Sequence, residues 1–451
     1  MDVDKNLFLY NLAVVAIMKN EGPYVKEWLD YHLLAGVEHF FIYNNGSPDN
    51  QSEVIEPYVD AGLVTYIDYP GKARQYEAYN AAVRDYKFYC RYIAFIDGDE
   101  FILPKNDKSI VDVLDEVLAG NSNAAALGAN WRMYGSNYQD DADYEKGVLE
   151  RFTRCDKDLN HHVKTIADPR RIDFFWNPHF AMYFKNYLAV NENGAPVQQA
   201  FNEEKTGDKI VINHYYTKSF EEFKTKIMRG AADSYHNVYN LSKFSHDSSS
   251  NEIFNDEILS YRDARKNLLV PAGGDVIESF AAINQPNFER LLKAVTFNLL
   301  PGFIENDTKK FLDNPQNRFE YFATLVKFFS IAPQDFFKGR TETFLTCFAV
   351  SSFLKDNFLD EDLGSLLEEF SLNALCKTLA AGVNLYDVRL FVRELPNILA
   401  LPYPAVKDLR AACFELIPQL TATYRNYNPA DWVEFVHMDY ILNMLRVFDR
   451  C

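Results

Sequence analysis

An α/β fold, with a mostly parallel sheet over the first half of the chain and an all-helical domain over the second, is what the sequence predicts. Three observations lead there. Continuous apolar runs of strand length recur through the first part of the chain and end in turn-forming or acidic residues, as strands buried on both faces do. Stretches with apolar residues at helical spacing separate them. At Ser242 to Asn251 the composition turns Ser- and Asn-rich, and beyond it the strand-like runs give way to helical patterns rich in Phe and Leu. The expected domains are therefore residues 1–241 and 252–451.

Taken in order, Leu12 to Met18 reads as a first buried strand, ending in Lys19-Asn20-Glu21-Gly22. Pro23 opens a helix whose apolar positions Tyr24, Trp28, Tyr31 and Leu34 keep helical spacing until Gly36 stops it. A second strand, His39 to Tyr43, runs into Asn44-Asn45-Gly46-Ser47-Pro48-Asp49, and a helix over Ser52 to Ala61 leads to a third strand, Leu63 to Ile67. A helix from Gln75 to Tyr89 delivers the chain to Tyr92-Ile93-Ala94-Phe95-Ile96 and then to Asp97-Gly98-Asp99-Glu100. This βαβαβαβ order implies parallel strands with right-handed crossovers. Further on, Ile110 to Leu118 reads as a helix, Ala124 to Trp131 as a strand, and Lys209 to Tyr216 as a short β-branched run that leaves His214 at a strand end. Ser219 with Glu222 three residues later has the capping-box spacing for a helix to Gly230. In the second half Phe288 to Leu299, Arg318 to Ile331 and Leu363 to Leu379 have helical patterns, with no fixed repeat period.

Charge narrows the function classes. A net charge of −18 and a pI near 5.0 oppose a nucleic-acid partner, which needs a basic face. Cys90, Cys155, Cys347, Cys376, Cys413 and Cys451 show no CxxC spacing, so a reducing compartment is expected. The apolar run Leu7 to Met18 is broken by Asn11 and too short to span a bilayer. No transmembrane segment is expected, and the cytoplasm or the inner membrane face is the expected location.

Chemistry concentrates in Asp97-Gly98-Asp99. At the carboxyl end of a buried parallel strand it lies where open α/β sheets bind ligands. Two carboxylates there supply the hard oxygen ligands that Mg²⁺ or Mn²⁺ takes, especially with a phosphate-bearing ligand. The same residues also make an ordinary Asp-Gly turn, so the neighbouring motifs decide between the readings.

Those neighbours form an ordered series. Lys19-Asn20-Glu21 with Tyr24, Trp28, Tyr31-His32 and Gly36-Val37 resembles the opening of glycosyltransferase family 92 and its bacterial relatives. So do Phe41 to Asn45, Gly62-Leu63-Val64, Ala94 to Phe101, Trp131 with Tyr134-Gly135-Ser136, His162 to Ile166, and Ile212-Asn213-His214-Tyr215 before Lys218-Ser219 and Glu222-Phe223. The resemblance covers residues 11 to 232. It implies a GT-A (Rossmann-like) fold that binds a nucleotide sugar, with Mn²⁺ or Mg²⁺ held by an Asp-x-Asp motif. Asp97 and Asp99 match that motif, and His214 matches the place of a late histidine ligand. Lys19, Asn20, Glu21, Tyr24, Asn44, Arg74 and Gly98 are then expected around the donor, with Asn44 standing where relatives carry Asp. The helical half lies outside the pattern.

The implied function is metal-dependent, inverting transfer of a hexose, galactose from UDP-galactose foremost, to a glycan or lipid-linked glycan in polysaccharide biosynthesis. An inverting transfer needs a base at the acceptor hydroxyl, and Asp168, Asp173 and His179 fall in the stretch where such folds build their acceptor side. Lys164 and Arg170 are placed to pair with phosphate. Two other classes compete. A nucleotidyltransferase would show a Gly-rich phosphate loop, which Lys19 to Pro23 is not; a catalytically silent glycan-binding protein would not need Asp97, Asp99 and His214. For the helical half, packing beside the acceptor or homodimerisation is expected.

Overall fold

The computed structural model describes residues 8–230, 250–284, 332–357, 361–382 and 401–409, with residue 244 and scattered positions between 319 and 413. β1 (Tyr10–Met18), α1 (Gly22–Leu34), β2 (His39–Asn44), α2 (Gln51–Asp60), β3 (Val64–Asp68), α3 (Gln75–Tyr86) and β4 (Cys90–Phe95) realise the alternating series read from the sequence. β1 is central, parallel to β2 on one side and to β4 on the other, and β2 is parallel to β3. Leu12 to Ala16 are wholly buried, which explains an apolar run without alternation.

The chain continues through β5 (Glu100–Pro104), α4 (Ile110–Leu118), β6 (Ala124–Met133), α5 (Val148–Arg151), β7 (Arg154–Cys155), β8 (Asn160–Ala167), β9 (Ile172–Phe175), β10 (Ala181–Tyr183), β11 (Leu188–Val190), β12 (Pro196–Val197), β13 (Ile210–His214) and α6 (Phe220–Arg229). The strand order is β12-β11-β6-β8-β4-β1-β2-β3, with β13 pairing β6 and β5. β8 lies antiparallel between β4 and β6. It has no clear strand signal in the sequence, because His161, His162 and Lys164 interrupt its apolar residues. β13 runs parallel to β6 and antiparallel to β5, setting His214 opposite Glu100.

α1 fastens β5 in place. The Trp28 Nε1–H donates to the Glu100 carbonyl at 2.8 Å and the Tyr31 hydroxyl to that of Ile102 at 2.9 Å. His32 bridges the two elements, bonding through Nδ1 to the Trp28 carbonyl and accepting at Nε2 from the Ile102 N–H. Burial lowers its pKa to about 3, so it is neutral.

β14 (Ile253–Phe254) pairs with β7, and α7 (Glu257–Leu269) and α8 (Val276–Asn284) follow. Both helices pack on α1. The Tyr261 hydroxyl donates to the Lys108 carbonyl, and Arg265 Nε to that of Leu34, each at 2.9 Å. By its contacts the first unit runs from Tyr10 to Pro286, and the second holds Asn287–Cys451. The division thus falls later than the stretch 242–251, because residues 257–284 bury their apolar side against the α/β unit.

In the second unit every described element is helical. α9 (Thr341–Asn357) and α10 (Glu361–Ala380) pack closely. A Cβ on Gly364 would stand 2.9 Å from the Lys355 Cα, an approach that only glycine permits. α10 covers the pattern Leu363 to Leu379; Phe288 to Leu299 and most of Arg318 to Ile331 lie outside the described residues. Among the described residues no helix is long and apolar enough to cross a membrane.

Candidate active site

The carboxyl ends of β1 and β4, the turn after β4 and the end of β13 meet at one edge of the sheet. The Asp97–Asp99 turn is fixed by its own backbone: Glu100 N–H donates to the Asp97 carbonyl, Asp97 N–H to the Glu100 carboxyl, and Tyr215 N–H to the Asp99 carbonyl. Gly98 presses against Glu21 and Met18, and an added Cβ would lie 3.3 Å from Glu21 Cγ. Glycine in the middle of the motif therefore brings the turn close to the β1–α1 loop.

The two aspartates face different partners. Asp97 accepts from the Lys164 ammonium at 2.8 Å and from Gln75 Nε2 at 2.6 Å, so both its oxygens are engaged. Lys164 is wholly buried and also stands 3.6 Å from Glu100. Burial opposes ionisation of both carboxyls. For Asp97 the Lys164 ammonium outweighs it and holds the group below its ordinary range, whereas Glu100, fully buried beside Asp97 and Asp99, is pushed well above its own.

Asp99 accepts from Lys226 of α6 at 2.6 Å, and its other oxygen lies 3.5 Å from His214 Nε2. Burial resists its charge, yet Lys226 and His214 hold it well below the usual carboxylate range. Burial likewise lowers His214, against the pull of Asp99, so the imidazole stays neutral. Arg229, one turn beyond Lys226 on the same face of α6, pairs with Glu21 and donates to the Lys19 carbonyl at 2.6 Å.

These groups line a cavity of about 180 Å³ with Met18, Lys19, Asn45, Trp131, His179 and Tyr216. The Trp131 indole packs among three histidines, with ring centroids 4.3 Å from His214, 4.9 Å from His179 and 5.1 Å from His162.

A divalent cation fits part of this donor set. Asp99 and His214 present an oxygen and a neutral imidazole nitrogen close enough to share one ion, and such cations complete their shells with substrate phosphates and water. Asp97 does not extend the pair, since Lys164 and Gln75 occupy it. Among the described residues no group of three or more carboxylate, histidine or cysteine side chains gathers around one point.

Of the residues expected around the donor, Lys19, Glu21, Asp97, Gly98 and Asp99 line the cavity, while Asn20 and Tyr24 line a neighbouring one. Asn44 and Arg74 line neither. Asn44 bonds to Asp68 and Ser47, and Arg74 to Glu77. In each case the next residue, Asn45 or Gln75, points into the cavity instead. The structure separates the base candidates. His179 lines the cavity, with burial lowering its pKa to about 3. Asp168 follows β8 at the opposite edge of the sheet, where Ala167 pairs with Ile93, and is held by Arg170 and Arg171. Asp173 is buried in the β9–β10 hairpin, away from the cavity lining. Arg170 is thereby removed from the site and Lys164 sits beneath it.

Sequence reasoning missed Gln75, Asn45, Lys226 and Arg229 as site residues. The signal for the last two was present in α6, a capped amphipathic helix just past His214 with lysine and arginine three residues apart.

A parallel sheet that gathers carboxylates, a histidine and cations at its carboxyl edge defines an α/β enzyme of the ligand-at-strand-end type. Comparison narrows the class. The model of glycosyltransferase family 92 matches residues 16–244, just over half of the sequence, and the chain belongs to that family. It is 26% identical over 227 residues to a family 92 protein of Ricinus communis and 32% identical over 228 residues to one of Arabidopsis thaliana, in each case 49% of this chain and 38% of the relative. A galactan β-1,4-galactosyltransferase of Arabidopsis thaliana is 29% identical over 100 residues, 20% of this chain and 19% of that one. The chain thus spans under two fifths of the length of these relatives. Among solved structures, S. aureus TarS matches over 80% of this chain and 55% of its own at 10% identity, with a TM-score of 0.25, too low to carry a fold assignment.

Proposed function

We propose that the chain is a metal-dependent, inverting hexosyltransferase that uses a nucleotide sugar and a glycan acceptor. The observation that carries this reading is the Asp99 and His214 pair, 3.5 Å apart and backed by Lys226 at the carboxyl edge of the sheet. Asp99 Oδ1 and His214 Nε2 would hold Mn²⁺ or Mg²⁺, which when bound supplies Lewis-acid compensation for a leaving diphosphate. Lys226 and Arg229 line the cavity beside the same point and add positive charge there. Asp97, locked by Lys164 and Gln75, keeps the turn in shape. Trp131 offers an apolar face to a sugar ring, and His179 beside it is the base candidate that lines the cavity, although burial, which lowers its pKa, weakens it as a base.

Membership of the family supports glycosyl transfer, and the galactosyltransferase among the relatives makes UDP-galactose the first donor to try. An acceptor met in the cytoplasm or at the inner membrane face, and homodimerisation through the helical unit, complete the reading. The test is turnover of UDP-galactose, UDP-glucose and other nucleotide sugars with mixed glycan acceptors, with and without Mn²⁺. Metal-dependent release of nucleoside diphosphate is expected; no turnover of any donor refutes the reading.

A further inference from the structure

A second cavity, of about 240 Å³, adjoins the first across Tyr216, Lys226 and Arg229. Its lining includes Asn20, Tyr24, Tyr144 and Lys218. Lys218 is only 5% exposed. Its ammonium lies 4.3 Å from the centre of the Tyr24 ring, and among the described residues no carboxylate or carbonyl takes a hydrogen bond from it. The other two cations are engaged, Lys226 by Asp99 and Arg229 by Glu21. Of the carboxylates, Glu222 is answered by two bonds from Arg151, and Asp49 accepts from the Gly22 and Gln51 amides.

An ammonium that lines a cavity with an aromatic face as its contact has room for an anion, because a ring returns less than a charged hydrogen bond. The backbone supports the same reading. Lys218 has φ of +53° and Asn20, across the cavity, +56°; non-glycine residues hold the left-handed region where surrounding structure forces it, often at binding sites. Asn20 Oδ1 is itself buried without a donor among the described residues. The cavity therefore offers a spare cation, a spare hydrogen-bond acceptor and tyrosine faces. A ligand that answers all three carries an oxyanion, a hydroxyl donor and a ring.

We infer that this cavity is a binding site for an anionic sugar, one that bears a carboxylate or a phosphate, with its oxyanion on Lys218 and a hydroxyl on Asn20. Its position beside Lys226 makes it the seat of a charged unit of the acceptor glycan; that role, though not the site, rests on the transferase reading above.

Titration of the full chain with glucuronate, glucose 6-phosphate and neutral glucose, followed by ligand-observed NMR with and without saturating UDP, tests it. At least one of the two anions is expected to bind about tenfold more tightly than glucose, which of them doing so telling carboxylate from phosphate, and Lys218→Met to remove that preference while Lys218→Arg keeps it. UDP, in the neighbouring cavity, is expected to leave the anion bound. Equal binding of glucose and both anions, or an anion preference that survives Lys218→Met in a protein with unchanged thermal unfolding, overturns the site. Displacement of the anion by UDP overturns the acceptor role and gives the cavity to the donor diphosphate. Failure of UDP to bind at all bears on the donor reading alone.

Discussion

Asp97 and Asp99, two residues apart in one turn, are put to different uses by the cations that reach them. Lys164 comes from β8 beneath the sheet edge and is sealed in, whereas Lys226 comes from α6 at the cavity wall. Asp99→Asn keeps the side-chain shape and removes the charge; it should lower metal-dependent turnover by about a hundredfold or more. Manganese affinity measured directly on the variant with UDP present should fall in parallel. Alanine is the poorer choice there, because Asp99 is buried and its loss strands Lys226. Lys164→Met takes the ion partner from Asp97, whose side chain is 32% exposed, a change expected to lower stability by roughly 1–3 kcal/mol in urea unfolding. Adding Asp97→Asn to that variant should recover much of the loss, since the uncompensated charge goes with it.

Among the elements, α6 decides the most. Ser219 caps it, accepting from the Glu222 N–H while the Glu222 carboxylate accepts from the Ser219 N–H, and Glu222 is held in turn by Arg151 and Tyr24. This anchorage points Lys226 and Arg229 inward. Ser219→Ala should cost about 1 kcal/mol of stability. UDP affinity, read by calorimetry, should weaken with it, because both cations ride on the last turn of the short helix that the cap starts. If UDP binding is unchanged in Ser219→Ala, α6 does not hold the diphosphate. β8 is the other decisive element, since it inserts Lys164 under the motif.

At the scale of the molecule, stability should depend on pH through buried histidines. His32 and His39 are fully buried, and burial lowers each to about 3 from the ordinary 6.5. Above pH 6.5 they are neutral in folded and unfolded chains alike. Below it the unfolded chain binds protons that the folded chain refuses, so stability is complete above that value and declines as the pH falls toward 3, by about 1.4 kcal/mol per unit for each histidine. Urea midpoints at pH 7.5 and 5.5 should show the decline, and His39→Gln should reduce its slope. The division of the chain gives a second expectation. Residues 1–286 should unfold as one cooperative unit, whereas residues 1–245 lack α7 and α8 and expose the side of α1 they cover. Circular dichroism melts of both fragments decide; a 1–245 fragment as stable as 1–286 would show that α7 and α8 add nothing to the first unit.

The sequence by itself determined the strands and helices whose hydrophobic signal is local. β1 to β4 hold apolar runs of strand length, α1 and α6 have helical spacing with a proline or a capping box at the start, and the ordered motifs carried the family. It also located Asp97, Asp99 and His214 at strand ends, because a strand end is visible wherever an apolar run stops. Only the tertiary structure decided what turns on direction and pairing. Successive side chains on a strand face opposite ways, so whether Asn44 or Asn45 enters the cavity depends on how β2 sits beside β3. β8 was hidden because its buried lysine is tolerable only beside Asp97 and Glu100, partners over sixty residues away in the chain. The same long-range pairing sent Asp168 to the far edge of the sheet and brought α6 across the site, since two charges can answer each other only once the fold has set them within a few ångströms.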